Sequence, residues 1–108
     1  MTADPAQPFT VVIETASWVN DFLEGEGSGT REHPVEVAPG ATVRDALRHL
    51  TDRHARLRAA LWDASGREIG EHIEVIVNDE VLGVRHTLDS VLAPGDRILL
   101  VGQFIGGA

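Results

Sequence analysis

Ala41-Thr42-Val43-Arg44-Asp45-Ala46-Leu47-Arg48-His49-Leu50 is the stretch whose reading decides the fold. Val43, Ala46, Leu47 and Leu50 recur at i, i+3, i+4 and i+7, the spacing of one apolar face of a helix. Thr42 stands ahead of them as an N-cap. Asp45, three residues on, completes a capping box with Asp in place of the usual Glu. Pro39-Gly40 marks a turn just upstream. Downstream, Leu57, Ala60 and Leu61 continue the helix or restart it, and Asp63-Ala64-Ser65-Gly66 stops it.

On both sides of this helix the pattern is that of strands. Phe9 to Thr15 is β-branched and apolar, and Pro34-Val35-Glu36-Val37 alternates, so the two are expected to pair antiparallel. Between them, Trp18, Phe22 and Leu23 fall at helical spacing, which predicts one short helical turn capped by Ser17 and stopped by Gly25. Gly25 to Gly29 reads as a loop. After the helix, Ile73-Glu74-Val75-Ile76-Val77 is apolar at nearly every position and is expected to be a central strand buried on both faces. Asn78-Asp79-Glu80 turns into Val81 to Val84, Leu88 to Leu92 forms a short turn, and Pro94-Gly95-Asp96 leads into a last strand, Arg97 to Val101. A helix crossing from the second strand to later ones makes a parallel pairing in the sheet plausible. The order predicts an α+β fold of the β-grasp type, a mixed sheet with one main helix across one face. Residues 1–8 read as a polar, flexible arm, 9–103 as the domain, and 104–108 as a tail.

Composition narrows the function. The chain has 108 residues and a formal net charge of -8, which disfavours nucleic-acid binding through phosphate neutralisation. No segment is long and apolar enough to span a bilayer, and Met1 to Pro8 has neither the basic nor the apolar region of a signal peptide, so a cytoplasmic location is expected. Cysteine is absent, which excludes disulfides, thiolate metal sites and a cysteine nucleophile. Lysine is absent too, and all nine basic residues are arginines. His49 and His54 are five apart, which does not place two metal ligands on one helix face, and no metal site is expected. His54 reads as a helix-end or half-buried histidine. The glycines at 25–29 are followed by no lysine and do not form a phosphate loop. Glu68, Glu71, Glu74, Asp79 and Glu80 are close in sequence and suit either a basic partner groove or a solvated edge.

Directly after the last strand comes Gly102-Gln103-Phe104-Ile105-Gly106-Gly107-Ala108. Two glycines make the thinnest tail a chain can offer, able to enter a narrow channel and present a main-chain carboxylate. With this tail, four internal segments resemble the MoaD/ThiS-like sulfur-carrier family, which is ubiquitin-like. They are Ala41 to Leu47, Leu57 to Leu61, Ile73 to Asp79 and Leu92 to Ile98. The resemblance covers residues 9 to 107.

It implies that the chain is a carrier rather than an enzyme, and that a ubiquitin-activating-type enzyme adenylates its terminal carboxylate with ATP bound by that enzyme. A sulfur donor then makes a thiocarboxylate, which a synthase or larger subunit consumes, for molybdopterin-type or other sulfur-metabolite biosynthesis. By this resemblance Gly107 is the activated residue, Gly106 provides clearance, and Ala108 is removed first, as a metalloprotease does for some members. Phe104 and Ile105 are either apolar anchors in a partner groove or the packed end of the last strand. Residues 16–33 are longer than the matching connection in shorter members and read either as a determinant of partner choice or, the favoured reading, as a neutral surface insertion. Two other readings remain open: a ubiquitin-like modifier joined to target lysines, and a β-grasp binding subunit without tail chemistry.

Overall fold

A computed structural model describes residues 7–23 and 29–102. Residues 1–6 of the expected arm at 1–8, Gly25 and the rest of 24–28, Gln103 and the expected tail at 104–108 lie outside the described residues.

The helix predicted at Thr42 is present as α1, Val43–Thr51. Its capping box is reciprocal: the Asp45 amide donates to Thr42 Oγ1 at 3.3 Å, and the Thr42 amide donates to Asp45 Oδ2 at 3.0 Å. The shorter Asp therefore does the work of the usual Glu. The second segment restarts as α2, Ala55–Leu61, with half-buried His54 at its N-cap. Val43, Ala46, Leu47, Leu57 and Leu61 are fully buried. Trp62 closes the pair, its Nε1–H donating to Thr51 Oγ1 at 3.2 Å.

Five strands form one mixed sheet: β1 (Phe9–Ala16), β2 (Arg31–Val37), β3 (Ile73–Val77), β4 (Glu80–Val81) and β5 (Arg97–Gly102), in the order β2-β1-β5-β3-β4. β1 and β5 run parallel, and the other pairs are antiparallel. This is the expected β-grasp, with α1 and α2 on one face. Strand β2 begins earlier than predicted. Pro34 does not stop it, because β2 is an edge strand, where a missing amide can be tolerated.

One strand assignment needs correction. The central strand is β5, not Ile73–Val77. β3 alternates, with Ile73, Val75 and Val77 buried while Glu74 and Ile76 on its other face are partly exposed. A nearly continuous apolar run meant a half-covered strand, because the uncovered face of this sheet is itself apolar.

Two short motifs of the sequence form one device. Asn78 and Asp79 have φ of +48° and +71°, the conformation of a type I′ hairpin turn between β3 and β4. Asn78 Nδ2 donates to Asp96 Oδ1 at 3.0 Å, and the Arg97 amide donates to Asn78 Oδ1 at 3.0 Å. Asp96 Oδ2 also accepts from the Ala93 amide at 2.7 Å. The two turns thus set the starting point, and so the register, of β5.

Candidate functional site

β5 occupies the middle of the sheet and hands the chain to the tail at Gly102, the last described residue. Gly102 is buried, and a β-carbon built on it would overlap the Trp18 indole. Trp18 belongs to a 3₁₀ helix, Ser17–Phe22, which turns back over the ends of β1 and β5. Residues 16–23 are therefore not a neutral surface insertion. Val19 is fully buried, and Asn20 and Leu23 are nearly so. Nor does Ser17 act as a cap. Ala16 holds the N-cap position without a side-chain hydrogen bond, and Ser17 bends the chain at φ +64°.

A buried polar chain holds this helix in place. Thr15 Oγ1 donates to Asn20 Oδ1 at 2.6 Å. With that hydrogen committed, His33 Nε2, 3.0 Å from the same oxygen, is the donor to it, which assigns the neutral ring its tautomer. Asn20 Nδ2 donates to the Gly29 carbonyl at 2.6 Å. β1, β2 and the 3₁₀ helix are tied together at the end of the sheet where the tail leaves. Burial, then the neighbouring His54 and Arg31 charges, push the His33 pKa below its usual value.

The uncovered sheet face leads to the same point. Val12, Ala16, Leu99, Val101 and Ile76 are partly exposed there, and Val81 is open to solvent. The register sets Ala16 beside Val101, Leu99 beside Ile76, and Ile76 beside Val81. This apolar band is bordered by Glu74 and by an ion cluster in which Arg97 bridges Glu14 and Glu32 across three strands. The hydrogen bonds that Arg97 donates to the Glu32 and Glu14 carboxylates raise its pKa, so the guanidinium stays charged. The face has an apolar centre and a charged rim, the build of a protein-docking surface.

The other acidic residues do not converge. Glu68 lies 3.7 Å from Arg44, which also pairs with Asp89, and Glu80 lies 3.2 Å from Arg85. Among the described residues no three His, Asp or Glu side chains group as metal ligands, and no helix is long and apolar enough to cross a membrane. Phe104, Ile105, Gly106, Gly107 and Ala108 lie outside the described residues. What the structure provides is their base: a central strand, a glycine buried under an indole, and an apolar face alongside. Sequence reading placed Trp18 on a short helical turn but missed its cover over Gly102 and the Thr15-Asn20-His33 chain. Their one signal was a tryptophan in the supposed insertion.

Comparison with known proteins agrees with this layout. The ThiS family model matches residues 24–107. Small archaeal modifier protein 1 of Haloferax volcanii is 34% identical over 82 residues, covering 76% of this chain and 88% of that protein. Its crystal structure superposes with a TM-score of 0.71 at 28% identity, covering 91% of this chain and 99% of that one. The solution structure of Urm1 from Trypanosoma brucei shares the fold, with a TM-score of 0.71 at 18% identity, covering 94% of this chain and 99% of that one. The chain belongs to the ThiS family of small ubiquitin-like sulfur carriers and modifiers.

Proposed function

We infer that this protein is a sulfur carrier whose Gly107 carboxylate is the reacting group. The observation that carries the reading is the placement of the tail sequence, Phe104-Ile105-Gly106-Gly107, two residues beyond a central strand in a ThiS-family chain. A carboxylate resists nucleophiles until it carries a good leaving group. An activating enzyme of the ubiquitin-activating type joins the Gly107 carboxylate to AMP from ATP, releasing pyrophosphate. A sulfur nucleophile then attacks the carbonyl carbon, AMP leaves, and a thiocarboxylate results. The carrier's own residues present the tail, and the ATP site belongs to the activating enzyme.

Ala108 would place its carboxylate one residue too far and bring a β-carbon into a channel sized for glycine. Processing, as by a metalloprotease, therefore precedes activation. The thiocarboxylate is delivered to a sulfur-accepting synthase or larger subunit, of the molybdopterin type or of another sulfur pathway. The apolar sheet face beside the tail supports docking of such partners.

The 34% identity to a small archaeal modifier protein favours a second reading, attachment of Gly107 to lysines of other proteins. The absence of lysine in this chain would then prevent self-linked chains. Intact-mass measurement of the protein recovered from its own cell separates the two. A carrier gives a form ending at Gly107 with one oxygen replaced by sulfur, whereas a modifier gives isopeptide adducts and no thiocarboxylate. Recovery of only the Ala108 form, inert to ATP and an activating enzyme, would overturn both.

A further inference from the structure

The chain is acidic overall, yet Arg48, Arg53, Arg56 and Arg58 crowd between positions 48 and 58, where Asp52 is the one acid. All four are exposed, on α1, α2 and the turn between them. Among the described residues the ion pairs belong to Arg44, Arg85 and Arg97, and none of these four makes one. Acids are not scarce, since the chain has 17 Asp and Glu. Like charges left together repel one another, and opposite charges on a partner would relieve that repulsion.

The four arginines border a concave surface. A hollow of about 710 Å³ is lined by Arg48, Arg58, Thr51 and Trp62, and an apolar groove of about 510 Å³ by Trp18, Phe22, Ala60 and Trp62. Ala59, Trp62 and Asp63 line both, so the two run together across α2. The Arg48 guanidinium lies 5.6 Å from the Trp62 ring centre, and that of Arg56 lies 5.8 Å from the Phe22 ring centre. These contacts keep the cationic heads beside the aromatic walls. Tryptophan and arginine around a pocket are the residues that dominate protein-binding centres.

We propose that this surface docks an acidic segment of a partner protein carrying one large apolar side chain. That side chain enters the groove, and the carboxylates beside it pair with Arg56 and Arg58. Charge complementarity names the occupant, because a guanidinium fork matches a carboxylate at two points. The acids already present do not fill this role. Asp63 accepts from the Ser65 and Gly66 amides and the Ser65 hydroxyl of its own turn. Glu71 lines the groove on the side of residues 70–72, where it repels carboxylates, so the acidic stretch lies over α2 instead. A nucleic acid fits less well, since a net charge of -8 repels a polyanion over most of the surface. The surface lies across the sheet from the apolar band of β5. A partner held here therefore leaves that band free, whatever chemistry the tail performs.

A random peptide library displayed on phage, selected against the full chain, tests the proposal. Enriched peptides should share acidic residues beside an apolar one. A selected peptide should shift the indole N–H resonances of Trp18 and Trp62, the two tryptophans of the chain. The double variant Arg56→Gln with Arg58→Gln should bind it at least about threefold more weakly, the sum of two exposed ion pairs. Arg85→Gln, at a residue that lines neither hollow, should bind like the wild type. Both substitutions are on exposed side chains, and thermal melts confirm folding. No enrichment, enrichment without acidic residues, or equal binding by the double variant overturns the proposal. So does a single-stranded oligonucleotide that shifts the same indole signals at lower concentration than the peptide, by making a nucleic acid the occupant.

Discussion

The Trp18 indole fills the space that a β-carbon on Gly102 would need. This contact joins the segment after β1 to the last residue of β5, at the point where the tail begins. Gly102→Ala should therefore destabilise the domain by about 1–3 kcal/mol through overpacking. No left-handed backbone contributes, because Gly102 is not among the glycines with positive φ. In a Trp18→Ala background the same substitution should cost about 0.5 kcal/mol or less, the mark of two directly coupled residues. Urea unfolding of the four proteins measures the difference. Additive effects would show that the indole is not the obstacle.

Thr15 tests the polar chain beneath that contact. It is fully buried, and its hydroxyl both donates to Asn20 and accepts from His33. Thr15→Val preserves shape but leaves the Asn20 carbonyl and the His33 N–H without their partner. The expected loss is about 1–3 kcal/mol, the cost of stranding buried polar groups. The 3₁₀ helix should loosen first, visible as faster amide exchange at Val19 and Asn20 than in β3.

His33 gives this end of the sheet a pH dependence. Burial first, then His54 and Arg31, hold its pKa in the folded chain below the ordinary 6.5. The unfolded chain therefore binds the proton more readily than the folded one. Stability is full above about pH 6.5 and falls as pH drops from there through the lower folded pKa. Stability measured at steps from pH 7.5 down to 5, above most carboxylate titration, should decline in the wild type. His33→Gln, whose amide can still donate to Thr15, should flatten that decline. An unchanged slope in the variant would place the titrating group elsewhere.

The elements of this fold were legible wherever a local period carried them. The stripe from Val43 to Leu50, the Thr42–Asp45 box, the β-branched run of β1 and the alternation in β2 each encode their structure within a few residues. Neighbours across the sheet were not legible. Ile73–Val77 and Arg97–Val101 are similarly apolar, and which of them is central depends on the Asn78–Asp96 lock and the pairing of β1 with β5. The role of Trp18 was hidden for the same reason, since its partner lies at the far end of the chain and is a glycine with no side chain to signal contact. The glycine tail could be read chemically only through family resemblance, because a main-chain carboxylate leaves no side-chain signature.

The uncovered sheet face gives the last prediction. Leu99 lies beside Ile76 at the centre of its apolar band, between Glu14 on one neighbouring strand and Glu74 two positions along the other. β5 carries the band and leads in sequence into the tail, so a partner that binds both is expected to contact this face. An aspartate at position 99 would put a third carboxylate where a partner's apolar groups need to sit. The few residues that dominate an interface cluster near its centre and cost about 2 kcal/mol or more when lost, so a buried carboxylate there, as in Leu99→Asp, should weaken binding to the activating enzyme by at least about tenfold. Val91 supplies the control. It is 65% exposed and equally apolar, but it bridges to Thr42 at the start of α1 rather than lying on the band. Val91→Asp should bind like the wild type. Titration calorimetry of both variants, with thermal melts confirming that each remains folded, distinguishes docking on this face from capture of the tail alone. If Leu99→Asp binds normally while folded, the tail carries the interaction unaided.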